Sequence, residues 1–505
     1  MERLKALCLT IGKNKAVFYL IVLLFCLLLA CLSNNYDYDL FARLIVGESF
    51  VEKGVINYQD FLSYTPTHLW YDHEWGASVF FYLFFKYFGA YGLILIHALL
   101  LFGTTFFVLK TQAIQKCAFP CTLAFTAFFI FALSHLNPSI VRCHMFSFMF
   151  FALFLFLLEK CRRFNSNAIW LIPPIVLIWN NIHGGVVSGM GMVFIYMIGA
   201  ILTKKSWKKY FFVLLVSAFL LAINPYGVDY YSFLISANTK TRTFITEWWW
   251  VFAQRHVLYY YPTFIAAVFL IVLSIFNMFK RKNFSDITKL LALITTTTLG
   301  SMHVKLLSLT VIVIGALYYN EIAKLFSKNS IRIIEKVAYV IIPLSVLYIP
   351  FTHPYIPRVN FNKFPVIETE FLKENNIKGN ILTSFGLGSY VSYKLYPQNL
   401  IYMDGRYEEV YYDEEFDNLI TYERGKEGWE KVYKDYPTEI LMPEKTMAPY
   451  KILKQSKDWV QIFDGPACGV FVRKGTEKQS YKQPSDRLKY YQFTAFDNMG
   501  KFGKQ

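Results

Sequence analysis

Acidic side chains are scarce in the first 351 residues, which contain only fourteen of them. Charged residues make up 17% of the chain, against about 25% in soluble globular domains, and 55% of the residues are hydrophobic. This composition excludes a soluble globular protein and indicates a polytopic membrane protein. Half of the scarce acids lie in residues 34–75, namely Asp37, Asp39, Glu48, Glu52, Asp60, Asp72 and Glu74. Such a concentration of carboxylates is most simply explained by a site, and an ordinary solvated loop is the alternative.

Lys and Arg are missing from two short turns, residues 137–139 and 183–185, whereas other turns between apolar segments are rich in them. The net charge of +16 therefore reports membrane topology, and a nucleic-acid partner is not expected. Turns rich in Lys and Arg alternate with turns that lack them, and this alternation predicts eleven membrane-spanning helices, with the N-terminus inside and the C-terminus outside. The spans are predicted near residues 15–33, 90–111, 118–135, 140–158, 168–182, 186–203, 208–224, 257–279, 286–301, 303–324 and 334–351.

Cysteine is nearly absent from the C-terminal part of the chain, where Cys468 stands alone, so that part holds no internal disulfide. Cys117 and Cys121 are spaced like metal ligands, but no His or further Cys completes a set. The sequence therefore predicts no zinc site.

Two apolar segments too short to span, residues 40–52 and 76–88, are predicted to be helices on the external surface. Residues 1–351 are predicted to form the transmembrane domain, with the first external loop, residues 34–75, as its catalytic part. Beyond a proline-containing linker, residues 352–474 alternate helical and strand patterns, which predicts an extracytoplasmic α/β domain. Residues 475–505 are polar and basic, and we expect a disordered tail.

Within the α/β domain, strands are predicted at residues 380–384, 400–403, 439–442, 459–463 and 469–473. Helices are predicted at residues 365–375, 389–395 and 447–455, with a mostly helical segment at 414–436. The fold class is thus a polytopic α-helical membrane protein with a small C-terminal α/β domain.

Asp37 and Asp39 follow the first span at once, which places them at the membrane boundary. A carboxylate partly shielded from water there has a raised pKa and serves as a general base. The alternative is that one of them caps the helix that begins at residue 40. His73 and Glu74 are suited to binding sugar hydroxyls or positioning a base. Asp37 with Glu74 would also suit Mg or Mn, although the spacing requires no metal.

Seven short motifs follow one another along the chain, each occurring once. They are D-x-D-L-F at residues 37–41, W-x-x-H-E-W at 70–75, R-x-H-x-F-S at 142–147, W-x-N-x-H-G-G at 179–185, N-P-Y-G at 224–227, E-F-L-K-E-N at 370–375 and D-G-R at 404–406. In this order the chain resembles the type C glycosyltransferase superfamily of membrane enzymes over residues 34–474. It looks like a bacterial branch loosely related to dolichyl-phosphate mannosyltransferases and lipid A aminoarabinose transferases.

The resemblance implies transfer of a sugar from a polyprenyl-phosphate carrier to a glycan, lipid or protein acceptor, on the outer face of the bacterial inner membrane. The family's catalytic Asp maps most naturally onto Asp37, with Asp39 as the second choice, and Glu74 assists. The catalytic Asp would deprotonate the acceptor hydroxyl while the lipid phosphate leaves, and the configuration of the anomeric carbon would be inverted. Arg142, His144 and Lys305 are the candidates for holding the phosphate.

Other candidates have equally plausible structural roles. Asn180 and His183 follow Trp179, Glu247 precedes a run of Trp residues, and Asp404 and Arg406 end a predicted strand. These five would contact substrate. Alternatively, the His side chains bond backbone carbonyls, the Trp run belongs to an interfacial belt, and the Asp-Gly pair forms a tight turn.

The sequence therefore favours a membrane glycosyltransferase that needs no cofactor other than, at most, a divalent cation. The rival hypothesis is a non-catalytic scaffold of the same fold, or a lipid-binding partner in envelope polysaccharide assembly. A transporter fits less well, because the ionisable groups lie at the ends of the spans.

Overall fold

The computed structural model describes residues 14–33, 36–115, 123–137, 141–240, 242–253, 258–352 and 359–484. It is mostly helical, with one small sheet. Cys117, Cys121 and residues 485–505, the larger part of the predicted disordered tail, lie outside the described residues.

The chain divides into two compact units. We call Met1–Ser33, Ile94–Pro138 and Cys143–Tyr355 the helical unit, and Asn34–Leu93, Ser139–Arg142 and Ile356–Gln505 the loop–sheet unit. The sequence prediction placed residues 34–75 in the transmembrane domain, whereas in the structure they cluster with the C-terminal residues.

Apolar helices dominate the helical unit. Its helices, with α4 beginning just before the unit does, are α1 (Lys15–Leu32), α4 (Ala90–Ile114), α5 (Leu123–Leu136), α6 (His144–Phe164), α7 (Ile172–Ile182), α8 (Val186–Leu202), α9 (Lys208–Leu220), α10 (Asp229–Thr239), α11 (Tyr261–Arg281), α12 (Ile287–Met302), α13 (Leu307–Leu317), α14 (Tyr319–Ala323) and α15 (Lys328–Thr352). Among the described residues, four helical segments are long and apolar enough to cross a membrane, namely Lys15–Leu32, Ala90–Ile114, His144–Phe164 and Leu258–Arg281. Five shorter apolar helices accompany them, and the count of eleven spans stays a prediction.

The loop–sheet unit begins with two helices, α2 (Leu40–Lys53) and α3 (Trp75–Phe88), which confirms the helices predicted for these segments. Helix α2 ends at Lys53 and is capped by Gly54, whose φ of 67° would be strained for a residue with a side chain. The C-terminal helices are α16 (Val366–Glu374), α17 (Gly388–Leu395), α18 (Tyr407–Val410), α19 (Asp413–Glu423), α20 (Lys431–Lys434) and α21 (Ala448–Leu453). The segment 414–436, predicted to be mostly helical, is thus two separate helices.

A four-stranded sheet forms the centre of the C-terminal part. Its strands are β1 (Ile381–Thr383), β2 (Ile440–Met442), β3 (Trp459–Asp464) and β4 (Gly469–Arg473), in the order β1-β2-β4-β3. Strands β1 and β2 are parallel, and the other pairs are antiparallel. Four predicted strands are confirmed. The fifth, at residues 400–403, is reduced to isolated bridges at Ile401.

The first loop completes the edge of this sheet. Ile401 bridges Ile381 on one side and Ser63 on the other, so the loop runs parallel beside the C-terminal segment. The Ile401 amide donates to the Leu62 carbonyl at 3.0 Å, and the Thr65 hydroxyl donates to the Tyr402 carbonyl at 2.7 Å. These bonds satisfy backbone groups that an open edge would leave unpaired. Residues more than 330 positions apart in sequence are therefore fixed together.

Aromatic packing fixes α2 against the same part of the chain. The Phe41 ring lies 4.8 Å from that of Tyr390 on α17 and 5.3 Å from that of Phe364, and all three rings are buried. Edge-to-face contacts of this kind add to the free energy gained by burial. This packing fixes the start of α2, and with it the turn that precedes the helix and contains Asp37 and Asp39.

Candidate active site

Two carboxylates on the turn before α2 face one guanidinium. The Arg142 Nε atom lies 3.2 Å from Asp37 Oδ2, and its Nη2 atom lies 3.8 Å from Asp39 Oδ2. Asp37 also accepts the Asp39 backbone N–H at 3.1 Å, which orients the turn. The side chain of Asp37 is 16% exposed, whereas that of Asp39 is 41% exposed. Asp39 is thus the more accessible carboxylate of the pair.

Asp39 does not act as a helix cap. It occupies the residue before α2, yet its side chain makes no capping hydrogen bond. Its Oδ1 atom lies against Gly405, where a Cβ would approach to 1.8 Å, so any side chain at that position would displace the carboxylate. The surrounding protein removes water from part of Asp39, and the charge of Asp37 adds to this effect. Together they raise the pKa of Asp39 well above its usual value, against the opposing effect of Arg142.

A second charge network centres on Arg43, which points from α2 into the protein and is 3% exposed. Its guanidinium lies 2.5 Å from Asp72, 3.3 Å from Glu74 and 3.5 Å from Glu409. Burial raises the pKa of Asp72, and Arg43 opposes that shift. Glu409 also accepts from the Trp70 indole at 3.3 Å. Arg43 therefore joins three carboxylates that come from two distant parts of the sequence.

His73 is charged at neutral pH in this network. Burial alone would lower its pKa, but the Glu409 carboxylate, 3.1 Å from Nδ1, outweighs burial, with help from Glu74. The pKa of His73 rises to about 9. With Arg142 included, three cations meet five carboxylates, those of residues 37, 39, 72, 74 and 409. The cluster has an excess of negative charge, which attracts a proton or a cation.

The raised pKa of His73 predicts a pH dependence of stability. Because the folded protein holds this proton more tightly than the unfolded chain, the stabilisation is complete below about pH 6.5 and is lost as the pH rises through about 9. We expect the thermal midpoint to fall across this window, and to fall less in His73→Gln. Thermal unfolding from pH 6 to 10 checks this. Equal slopes for the two proteins would contradict it.

Asp404 and Arg406 are buried rather than open to a ligand. Arg406 Nε lies 2.8 Å from Asp404 Oδ1, and its Nη1 atom pairs with Asp60 of the first loop. Its Nη2 atom donates to the Tyr411 hydroxyl at 3.0 Å. Neither side chain is more than 3% exposed. The arrangement ties the loop to the α/β part and favours the structural alternative, whereas the substrate contact stays a prediction.

Three candidates in the helical unit belong to hydrogen-bond networks. His144 Nε2 lies 3.0 Å from Asn137 Oδ1. His183 Nδ1 accepts from the Gly185 amide and lies 2.8 Å from Ser147 Oγ. Asn180 donates to the Leu221 carbonyl at 3.0 Å and is buried. These contacts are compatible with structural roles, but the partners of His144 and His183 are side chains and an amide rather than the backbone carbonyls considered from the sequence. The substrate contacts of the three residues stay predictions.

The remaining candidates in the helical unit lie around Trp248. Lys305 Nζ is 3.6 Å from the centre of this ring, and the Arg242 guanidinium is 4.0 Å from it. Glu247 precedes Trp248 in the same short 3-10 helix and is half-buried. Two cations on one aromatic ring form a site of positive potential. Lys305 stays a candidate for phosphate binding, whereas Arg242 is buried and its guanidinium donates to the Ala237 carbonyl at 2.6 Å.

Sequence reasoning missed Arg43, Glu409 and Gly405. Arg43 interrupts the apolar run of α2, and a charge in such a run is a signal that could have been used. Glu409 and Gly405 lie in the distant C-terminal part, and nothing local marks them as neighbours of the first loop.

Comparisons with known proteins give a fold but no closer relative. No family model matches the sequence, and no curated protein matches it. Among solved structures, the chain is similar to an oligosaccharyltransferase of Archaeoglobus fulgidus in its apo form, with a TM-score of 0.57. The two sequences are 10% identical, over 86% of this chain and 70% of the archaeal one. The chain therefore shares the fold of this archaeal enzyme, and four of its described helical segments are long and apolar enough to cross a membrane. Membership of the type C superfamily and of its bacterial branch stays a prediction.

Proposed function

We propose that the protein is a membrane glycosyltransferase. It transfers a sugar from a polyprenyl-phosphate donor to an acceptor hydroxyl, with inversion, at the outer face of the bacterial inner membrane. The observation that carries the proposal is the turn on which Asp37 and Asp39 both face Arg142, with one carboxylate accessible and raised in pKa. The shared fold of the archaeal enzyme is consistent with this chemistry.

Asp39 is the better candidate for the general base. A base must reach the proton that it removes and have a pKa near the working pH. Asp39 is more exposed than Asp37, and its pKa is raised. Asp37, held by Arg142 and by the Asp39 amide, has the role of positioning residue. The sequence alone favoured the opposite order.

The reaction follows from this assignment. The acceptor O–H gives its proton to the Asp39 carboxylate, and the acceptor oxygen forms a bond to the anomeric carbon. The bond from that carbon to the phosphate oxygen breaks, and the phosphate leaves with the electron pair. Attack from the side opposite the phosphate inverts the anomeric centre. Arg142, whose guanidinium carries five N–H donors, is placed to stabilise the growing charge on the phosphate.

A divalent cation would suit the negative charge of this cluster, because carboxylate oxygens are the ligands that Mg and Mn prefer. Burial is the main cause of the raised pKa of Asp39 and the charge of Asp37 adds to it, so a nearby cation would relieve only the charge part. Asp37 and Glu74, the pair expected from the sequence, would hold it, which leaves Asp39 free to act as the base. When bound, the cation would supply further positive charge for the leaving phosphate.

The proposal is tested with purified protein and a panel of radiolabelled polyprenyl-phosphate sugars. Transfer is followed as loss of the donor label, with protein-free detergent micelles as the blank. Arg142→Gln, which keeps a polar side chain but removes the charge, is expected to lower turnover about 10²–10³-fold, the usual effect of losing one such donor. Lys86→Gln, a surface ion-pair residue of the same unit, is the matched control and keeps full turnover.

Two outcomes would overturn the proposal. If no donor is consumed while the folded protein still binds polyprenyl phosphates, the non-catalytic scaffold becomes the better description. If Arg142→Gln and Lys86→Gln transfer sugar equally well, the protein is a transferase whose site lies elsewhere.

A further inference from the structure

A cavity of about 760 Å³, partly open to the surface, is lined wholly by residues of the helical unit. Helices α5, α11, α13, α14 and α15 contribute its walls. The lining is almost entirely apolar and rich in Phe, including Phe125, Phe128, Phe131 and Phe326. Its volume falls in the range of about 300–1,000 Å³ typical of sites for small organic ligands. An apolar ligand of substantial size is therefore the natural occupant.

The two ends of the cavity differ in character. At the C-terminal end of α5, His135 stacks on Phe131 and lies 5.2 Å from the Tyr259 ring. At the N-terminal end, the Glu335 carboxylate accepts the backbone N–H groups of Leu123 and Ala124. A carboxylate at a helix N-terminus has its charge balanced by the unpaired amides. Glu335 is thus engaged in the protein's own structure.

The length of the cavity matches one leaflet of a bilayer. It follows α5 from Ala124 to Leu136, which is about 18 Å at ~1.5 Å per residue. The hydrocarbon core of a bilayer is about 30 Å thick, so one leaflet is about half of that. Acyl chains of ordinary length fit this depth, whereas a long polyprenyl chain exceeds it.

Three basic residues lie next to cavity-lining residues at the end of the cavity where Glu335 lies. Lys324 lies between the cavity-lining residues Ala323 and Leu325, and Lys328 and Arg332 flank a further lining residue on α15. All three basic side chains are exposed, and none forms an ion pair with a residue that the structure describes. Each such cation near a membrane surface adds to the attraction for anionic lipid headgroups.

We propose that this cavity binds one anionic glycerophospholipid. The acyl chains occupy the cavity, and the phosphate of the headgroup lies among Lys324, Lys328 and Arg332. Charge complementarity selects an anionic headgroup, and the one-leaflet depth selects acyl chains. The inference rests on the helical unit alone and is independent of the proposed glycosyl transfer.

The test is native mass spectrometry of the delipidated full-length protein, titrated with phosphatidylglycerol or with phosphatidylcholine. We expect tighter binding of phosphatidylglycerol. Lys328→Gln with Arg332→Gln should weaken it about 30-fold, from the attraction of ~1 kcal/mol per cation, and should weaken binding of phosphatidylcholine, whose phosphate is balanced by its own choline, much less. Lys280→Gln with Arg281→Gln, at the end of α11, is the matched pair of basic residues outside the cavity lining.

A second pair of variants tests the acyl-chain part. Ala266→Phe adds bulk to the cavity lining and should weaken binding of both lipids, whereas Val272→Phe, exposed on the same helix and outside the lining, should not. Thermal unfolding verifies that each variant is folded. Equal binding of the two lipids would overturn the proposal. So would displacement of phosphatidylglycerol by polyprenyl phosphate, which would make this a carrier site, or a dimer lost in Ala266→Phe, which would make it an interface.

Discussion

Replacing Asp39 by Asn is expected to lower sugar transfer about 10²–10⁴-fold, the range that a positioned general base supplies. Asparagine keeps the size of the side chain but cannot take the acceptor proton. The wild-type rate should fall as the pH falls through the raised pKa of Asp39, and the small residual rate of Asp39→Asn should lose that dependence. Donor consumption measured between pH 5 and 9 checks both expectations.

Asp37→Asn is the matched comparison, since it changes the neighbouring carboxylate in the same way. It should reduce the rate less, and it should lower the pH at which the rate falls, because the negative charge of Asp37 helps to raise the pKa of Asp39. Loss of all turnover in Asp37→Asn with normal turnover in Asp39→Asn would exchange the two roles.

Asp39→Asn, which lowers the rate of transfer, should nevertheless raise the stability of the folded protein. A carboxyl group whose pKa is raised by folding destabilises the folded protein above that pKa, because the folded state then holds a charge that it disfavours. Asp39→Asn should therefore raise the thermal midpoint at neutral pH by about 1–3 °C while lowering activity. A lower midpoint would indicate that the carboxylate is structural.

Replacing Arg43 by Ala is expected to destabilise the loop–sheet unit by about 3–5 kcal/mol, the usual consequence of removing one partner of a buried ion pair. The change leaves Asp72, Glu74 and Glu409 crowded together without their shared cation. Denaturant unfolding in detergent, followed by the tryptophan fluorescence of this unit, measures the loss.

Lys86→Ala is the control for this experiment. Lys86 lies 2.6 Å from Glu52, as close as Arg43 lies to Asp72, but its side chain is 36% exposed. Exposed pairs contribute little, so little change is expected. If both variants lose the same stability, burial is not what makes the Arg43 network important. A double change of Arg43→Ala with Asp72→Asn should recover part of the loss.

Local sequence patterns were sufficient for the elements, because their causes are local. Apolar periodicity predicted helices α2 and α3, and strand patterns predicted the four strands of the sheet. The unusual density of acids in residues 34–75 also pointed to Asp37, Asp39 and Glu74, which the structure places in one electrostatic cluster. Their catalytic roles stay predictions.

The neighbours of these acids could not be predicted, because long-range hydrogen bonds create them. Nothing in the first loop indicates that it will lie beside Ile401, and that register is what brings Gly405 to Asp39 and Glu409 to Arg43. The same register explains why Asp404 and Arg406 are buried, which the sequence did not predict. Residues at the end of a strand on the edge of a sheet are usually exposed, but here the first loop covers Asp404 and Arg406.

The pairing of the first loop with the segment around Ile401 also determines when the acidic cluster can be assembled during synthesis. Thr65 and its partner Tyr402 are 337 residues apart in the chain. At about 5–20 residues per second, a ribosome needs roughly 20–70 s to cover that separation. Throughout this interval Arg43 has no Glu409 to pair with, and Asp39 has no Gly405 beside it. The first loop is therefore made long before the segment that it pairs with, and it reaches its final structure only after that segment has been made.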